Sequence, residues 1–279
     1  MTSTKKSLSS HQDAVSDPAF KGVMACLALG MLLPSLGTSI ANVALPTFAD
    51  VFSATFQQVQ WVVLAYLLAT TTLIVGVGRM GDMLGRRRLF MVGIAVFTTA
   101  SILASFAPSL AWLVAARALQ GAGAAIMMAL TMALVSAIVP KARTGSAMGV
   151  LGTMSAVGTA LGPSLGGVLI GQLGWQSIFL IKVPLGMLAF YLAHRYLPAE
   201  RDLAKNARAP FDKLGMLLLA LTLAAYSLAM TLGRGSFGQL NLTLLFAAAL
   251  GLAAFIWNER FAASPLIRLA MFRNPALAA

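Results

Sequence analysis

Residues 57–106 read QQVQWVVLAYLLATTTLIVGV, then GRMGDMLGRRR, then LFMVGIAVFTTASILASF. Two apolar runs, Gln57–Val77 and Leu89–Phe106, flank a short basic loop, Gly78–Arg88. A run of roughly 20 apolar residues is the length a helix needs to cross about 30 Å of hydrocarbon. The loop between them carries four arginines and one aspartate, so it belongs in the polar boundary of a bilayer. The pattern predicts two membrane-crossing helices joined by a tight hairpin.

The rest of the chain repeats this unit. Further apolar runs cover about Gly22–Val43, Ser109–Ile138, Gly145–Gly171, Trp175–Tyr196, Leu214–Leu232 and Leu240–Trp257. The expectation is an all-α membrane protein with eight spans. Of 279 residues, 59% are hydrophobic and only 10% are charged, with a mean hydropathy of +0.84. A soluble domain carries about 25% charged residues. Composition divides the chain into a polar cytosolic tail (1–21), a six-helix bundle (22–196) and a cytosolic linker (197–213, LPAERDLAKNARAPFDK). Two additional helices follow (214–258), then a cytosolic segment (259–279) leading into the first residues of a ninth helix.

The formal net charge is +12. With the N-terminus in the cytosol, 17 of the 20 Lys and Arg fall on the cytosolic side. Arg234 falls on the other side, and Arg117 and Lys182 lie within helices. This is the positive-inside bias of a plasma-membrane protein, with anionic lipid as its counterpart. No basic stretch is interleaved with aromatics, so nucleic acid is not an expected partner. Cys26 is alone, which excludes an intrachain disulfide, and Cys26, His11 and His194 build no metal cluster. No cofactor or metal is implied. The absence of a HExxH pattern, a nucleophile arrangement and a GxxxxGK[ST] loop argues against a membrane enzyme or an ATP-driven pump.

Three motifs carry the functional reading. In the loop, Gly78, Gly81 and Gly85 are expected to end one helix and start the next. Asp82 is placed to pair with Arg79 or Arg86, or to accept from exposed helix amides. A plain basic loop explains the arginines but not one acid set among glycines. In the fourth helix, RALQGAGAA places Arg117 about 12 Å into the bilayer from Ser109, at ~1.5 Å per residue. Unless it snorkels, such a guanidinium must face protein or a wet cavity. Gln120 and Gly121 share its face at i+3 and i+4. In the fifth helix, Gly158, Gly162 and Gly166 form a stripe that lets another helix approach closely, and Pro163 permits a kink.

These strings resemble the major facilitator superfamily. Gly78, Asp82, Gly85, Arg86 and Arg87 match its loop between helices two and three, outlined G-x-L-A-D-x-x-G-R-R. The resemblance implies a gating role, with Asp82 latching the cytosolic side. Arg117–Ala125 is similar to the family's R-x-x-Q-G-x-G-A-A, whose arginine the family assigns to proton coupling. Gly158, Gly162, Pro163, Gly166 and Gly167 match its antiporter motif, G-x-x-x-G-P-x-x-G-G. Gln60–Ala69, Gly37–Pro46, Trp175–Gly186 and Ser264–Pro275 look like the fourteen-helix drug:proton antiporter branch. That branch carries two extra helices between two six-helix halves.

The resemblance implies a proton-coupled exporter of small amphipathic compounds, with Arg117, Gln120, Asn42, Trp61 and Tyr66 at the cavity. Its partners are then membrane lipid, a small-molecule substrate and protons. Three departures qualify this. Gly37 stands where the branch usually has Asp, five residues before Asn42. Lys182 replaces an Asn and is expected either to snorkel outward or to remain inside. No acid falls inside a spanning helix, which favours an anionic or neutral substrate. The chain also holds one bundle where alternating access needs two. The competing expectation is a truncated, non-transporting half, or one that needs a second half-transporter chain.

Overall fold

The computed structural model describes residues 18–198, 213–232 and 238–261. Nearly all of the tail at 1–21, most of the linker at 197–213 and most of the segment at 259–279 lie outside the described residues. The helices are α1 (Pro18–Val43), α2 (Leu45–Val51), α3 (Phe56–Leu84), α4 (Arg86–Ser105) and α5 (Leu110–Ile138). They continue as α6 (Thr144–Leu173), α7 (Ser177–Leu180), α8 (Lys182–Tyr196), α9 (Lys213–Leu232) and α10 (Gln239–Phe261). No strand occurs among the described residues. Among the described residues, six stretches are long and apolar enough to cross a membrane alone: α1, α4, α5, α6 with the turn before it, α7–α8, and α10. α3 adds a seventh when its halves, Phe56–Ile74 and Gly76–Leu84, bent by 58°, count as one. Within α9 the apolar stretch Leu217–Met230 is shorter.

Helix ends follow local chemistry. Thr55 caps α3 in a reciprocal box: its hydroxyl accepts from Gln58 N, and Gln58 Oε1 accepts from Thr55 N at 2.8 Å. Thr55→Ala removes one half of that box and is expected to cost about 1 kcal/mol. A thermal melt in detergent checks this, and an unchanged midpoint would contradict it. Two expected boundaries are corrected. Gly78 and Gly81 do not end a helix, because α3 runs through both to Leu84. Gly85 alone makes the turn, at φ +92°, a conformation that L side chains rarely adopt. At the other end, α10 continues past the expected Trp257 to Phe261, so Glu259 lies within the helix and is buried. Asn258, Glu259 and Arg260 contain no breaker, so nothing local stops the helix.

The bundle is built on pairs of helices that approach closely. α1 packs on α6, α3 and α4 pack on α5, and α8 packs on α1 and α4. α9 and α10 form a hairpin, with α9 also touching α3. Asn241 ties that hairpin by donating from Nδ2 to the Ala229 carbonyl at 2.6 Å. Two apolar cores result. One, near the Gly85 end, gathers Leu27, Leu33, Phe90, Phe97, Met127 and Leu134. The other, at the opposite end, gathers Ile40, Phe48, Leu113, Ile178 and Phe179. Phe48, Phe52, Trp175 and Phe179 close that end, with ring centroids 5.6–6.5 Å apart.

Candidate functional site

Between the two cores lies a polar seam. Arg117 and Gln120 stand on α5 between Leu113 of one core and Ala124 of the other. Arg117 is fully buried; its Nε donates to the Val62 carbonyl of α3 at 3.0 Å, and its Nη1 donates to Gln120 Oε1. The guanidinium carbon sits 4.2 Å from the centroid of the Tyr66 ring. Tyr66 donates its hydroxyl to the Pro34 carbonyl of α1 at 3.0 Å. Gln120 donates from Nε2 to Ser101 Oγ of α4 at 2.6 Å, and Ser101 passes the chain on to the Phe97 carbonyl at 2.8 Å. One arginine thus links α5 to α1, α3 and α4. A charge taken out of water survives only in such company.

The five residues expected at the cavity separate. Arg117, Gln120 and Tyr66 come together in the seam and are buried, so Arg117 does not snorkel. Trp61 is half-buried on α3, and Asn42 is exposed near the end of α1. A cavity of about 550 Å³ lies elsewhere, between α4 and α8, against Ile94, Thr98, Gly186, Phe190, Tyr191 and His194. None of the five lines it. A Cβ on Gly37 would lie 3.8 Å from the Tyr66 hydroxyl and 3.5 Å from Phe97 Cζ. The position that holds an acid in the branch therefore abuts this seam.

Lys182 is also inside. It is fully buried, and its Nζ lies 4.6 Å from the centroid of the Phe179 ring, with no hydrogen-bond partner among the described residues. The outward path is closed by helical geometry: Lys182, Gly186, Ala189 and Ala193 form the buried face of α8. Ser101, which sequence reasoning missed, has no signature of its own. A Ser in an apolar helix usually bonds its own preceding turn, as Ser101 also does here.

At the Gly85 end, Asp82 pairs with Arg86, whose Nε and Nη2 both donate to Oδ1, at 3.0 and 2.9 Å. Arg86 Nη1 donates to the Ala133 carbonyl of α5 at 3.0 Å, and Arg87 Nη2 to the His194 carbonyl of α8 at 2.6 Å. The arginines after the Gly85 turn thereby bond two other helices near their ends. Gly78, by contrast, has open space where a side chain would be. In α6, Gly158, Gly162 and Gly166 are buried against α1, and Pro163 and Gly167 are exposed. A Cβ on Gly158 would meet the Leu32 carbonyl at 2.8 Å, and one on Gly166 would meet Ile40 at 2.9 Å. Two hydrogen bonds run along this contact, Ser35 Oγ to Ser155 Oγ at 2.7 Å and Ser39 Oγ to the Thr159 carbonyl at 2.6 Å.

A helical bundle with an intramembrane arginine, a glycine-laced basic hairpin and a glycine-packed helix pair defines a polytopic membrane protein of the transporter class. The family model described as Major Facilitator Superfamily matches residues 27–273, and the chain belongs to that family. It is 37% identical over 253 residues to the Multidrug resistance protein Stp of Mycobacterium tuberculosis (strain ATCC 25618 / H37Rv), covering 90% of this chain and 47% of that protein. It is 33% identical over 247 residues to the Riboflavin transporter RibZ of Clostridioides difficile (strain 630), covering 88% and 54%. The chain therefore spans about half the length of these relatives. The fold is similar to a bacterial homolog of the human lysosomal transporter Spinster in its inward-facing, occupied conformation. That likeness has a TM-score of 0.59 at 19% identity, over 86% of this chain and 60% of the other.

Proposed function

We propose that this chain is the transporting portion of a proton-coupled exporter of small amphipathic compounds, in the plasma membrane with its N-terminus cytosolic. The buried Arg117–Gln120–Tyr66 seam carries the reading, because an intramembrane charge is retained where a site needs it. Similarity to a protein named for multidrug resistance supports efflux of small molecules. The match to the antiporter motif supports exchange, and the charge distribution supports the orientation. The fourteen-helix branch and the domain division given above belong to the same reading. Asn42 and Trp61, outside the seam, serve substrate passage, and Gly78, Asp82, Gly85, Arg86 and Arg87 form the cytosolic gate.

The test is efflux of a panel of lipophilic dyes from energised cells producing this chain, against empty cells and cells treated with a protonophore. Protonophore-sensitive efflux is the expected result; no difference from empty cells across the panel would sink the reading. Asp82→Asn separates gating from stability. The Asp82–Arg86 pair is partly exposed and spaced i, i+4, so its loss is expected to cost less than about 0.5 kcal/mol. Efflux is expected to fall at least tenfold. Equal, small changes in both would remove Asp82 from the gate.

A second reading follows from the chain spanning about half the length of its relatives. In it the chain transports only beside a second half-transporter chain. Restoration of efflux by co-production of the matching second half of a relative, with none from either alone, distinguishes the two.

A further inference from the structure

We propose that Lys182 and Arg117 together hold a compact monovalent anion, of carboxylate or halide chemistry, where α7 and α8 pack on α4. Both side chains are fully buried. Among the described residues, Lys182 Nζ and Arg117 Nη2 each lack a hydrogen-bond acceptor, although every other nitrogen of the Arg117 guanidinium has one. Buried cations are ordinarily paired with a carboxylate or with carbonyls.

Of the acids among the described residues, none fills that role. Asp50 is exposed on α2, Asp82 is engaged by Arg86, and Glu259 lies on α10. The level is fixed by neighbours. Gly186 of α8 packs on Thr98 of α4, so Lys182, one turn earlier in α8, stands about level with Ser101 of α4. Ser101 is the acceptor of Gln120, which in turn accepts from Arg117. The polar seam thus reaches the region of Lys182 with two donors unspent and, among the described residues, no negative charge to receive them. Aromatic rings flank both cations, Tyr66 at Arg117 and Phe179 at Lys182. In surroundings this apolar, a singly charged ion costs less to desolvate than a dianion.

The same chemistry has two sources: the carboxylate of a transported amphiphile, or an inorganic halide. The first rests on the exporter reading and the second does not. The test is equilibrium binding to the purified chain in detergent, so it stands apart from the efflux assay. Sodium chloride and sodium acetate are titrated against sodium sulfate at equal ionic strength, and the thermal midpoint is read. The expected result is a saturable rise of about 5 °C at a hundredfold excess over the dissociation constant. It is absent in sulfate and absent in Lys182→Met. Response to chloride alone assigns the inorganic source; response to acetate alone assigns the carboxylate. No saturable rise in either salt, or an equal rise in Lys182→Met, overturns the proposal.

If the variant does not fold, iodide quenching of tryptophan emission in the unaltered chain decides. Trp175 lies 6.3 Å from the Phe179 ring, which itself faces Lys182. Saturating quenching that chloride or acetate displaces supports the site. Linear quenching that neither displaces overturns it.

Discussion

Valine in place of Gly121 is expected to eliminate the folded bundle. A Cβ at this position would lie on the Tyr66 carbonyl oxygen, with Tyr66 C and Cα at 3.0 Å. These are backbone atoms of α3, so no side chain can swing aside. Moving α3 as a whole would break the bond from Arg117 Nε to the Val62 carbonyl and that from Thr70 Oγ1 to the Gly121 carbonyl. Overpacking ordinarily costs about 1–3 kcal/mol, and a collision with backbone belongs at or beyond the top of that range. The control is Gly149→Ala in α6, where nothing lies within 4 Å. There the change is expected to be neutral or to stabilise by about 0.5–1 kcal/mol, the usual preference for Ala over Gly inside a helix. The monodisperse fraction in detergent and its thermal midpoint are the readouts. Equal behaviour of the two variants would contradict the packing described.

Loss of Arg117 ranks second. Arg117→Met keeps length and apolar bulk but leaves Gln120 Oε1 without its donor, in a site closed to water. Breaking a buried charged network by removing one member costs about 3 kcal/mol or more. Arg117→Lys is not expected to rescue it. One ammonium cannot reach Val62 and Gln120 in the geometry of a planar fork, nor lie flat on the Tyr66 ring. The discriminating variant is the double one, Arg117→Met with Gln120→Leu. It removes the stranded carbonyl as well, and so is expected to recover more than about 1 kcal/mol relative to Arg117→Met alone. Strict additivity of the two single changes would mean that the pair is not coupled.

The features legible in the sequence were those that a single physical effect governs. Bilayer thickness dictates the length of apolar runs, so most helices from Gly22 to Tyr196 could be read to within about a turn of their ends; α3, which runs on to Leu84, and the division of the last run into α7 and α8 could not. The spacing of Gly158, Gly162 and Gly166 announced a close helix contact, and α1 supplies the other side of it. Arg117 and Gln120 share a face by their spacing, and in the structure they hydrogen-bond along it. Features decided by tertiary surroundings were not legible. Gly81 reads as a breaker, yet it sits inside α3 where a Cβ would strike Leu130 at 2.5 Å. Packing outweighs the conformational cost of a helical glycine, about 1 kcal/mol. Lys182 has a stem long enough to reach water, and only the small residues sharing its face show that it turns inward. Tyr66 and Trp61 looked alike as cavity residues because both are amphipathic; only the crossing of α3 and α5 separates them.

The clamp made by Arg86 and Arg87 has a mechanical consequence. Both guanidiniums bond carbonyls near the ends of α5 and α8, and they follow directly on a residue with positive φ, Gly85. One dihedral therefore acts as a lever on three helix tips. A rotation at Gly85 would re-aim both guanidiniums and, with them, the bonds to the Ala133 and His194 carbonyls.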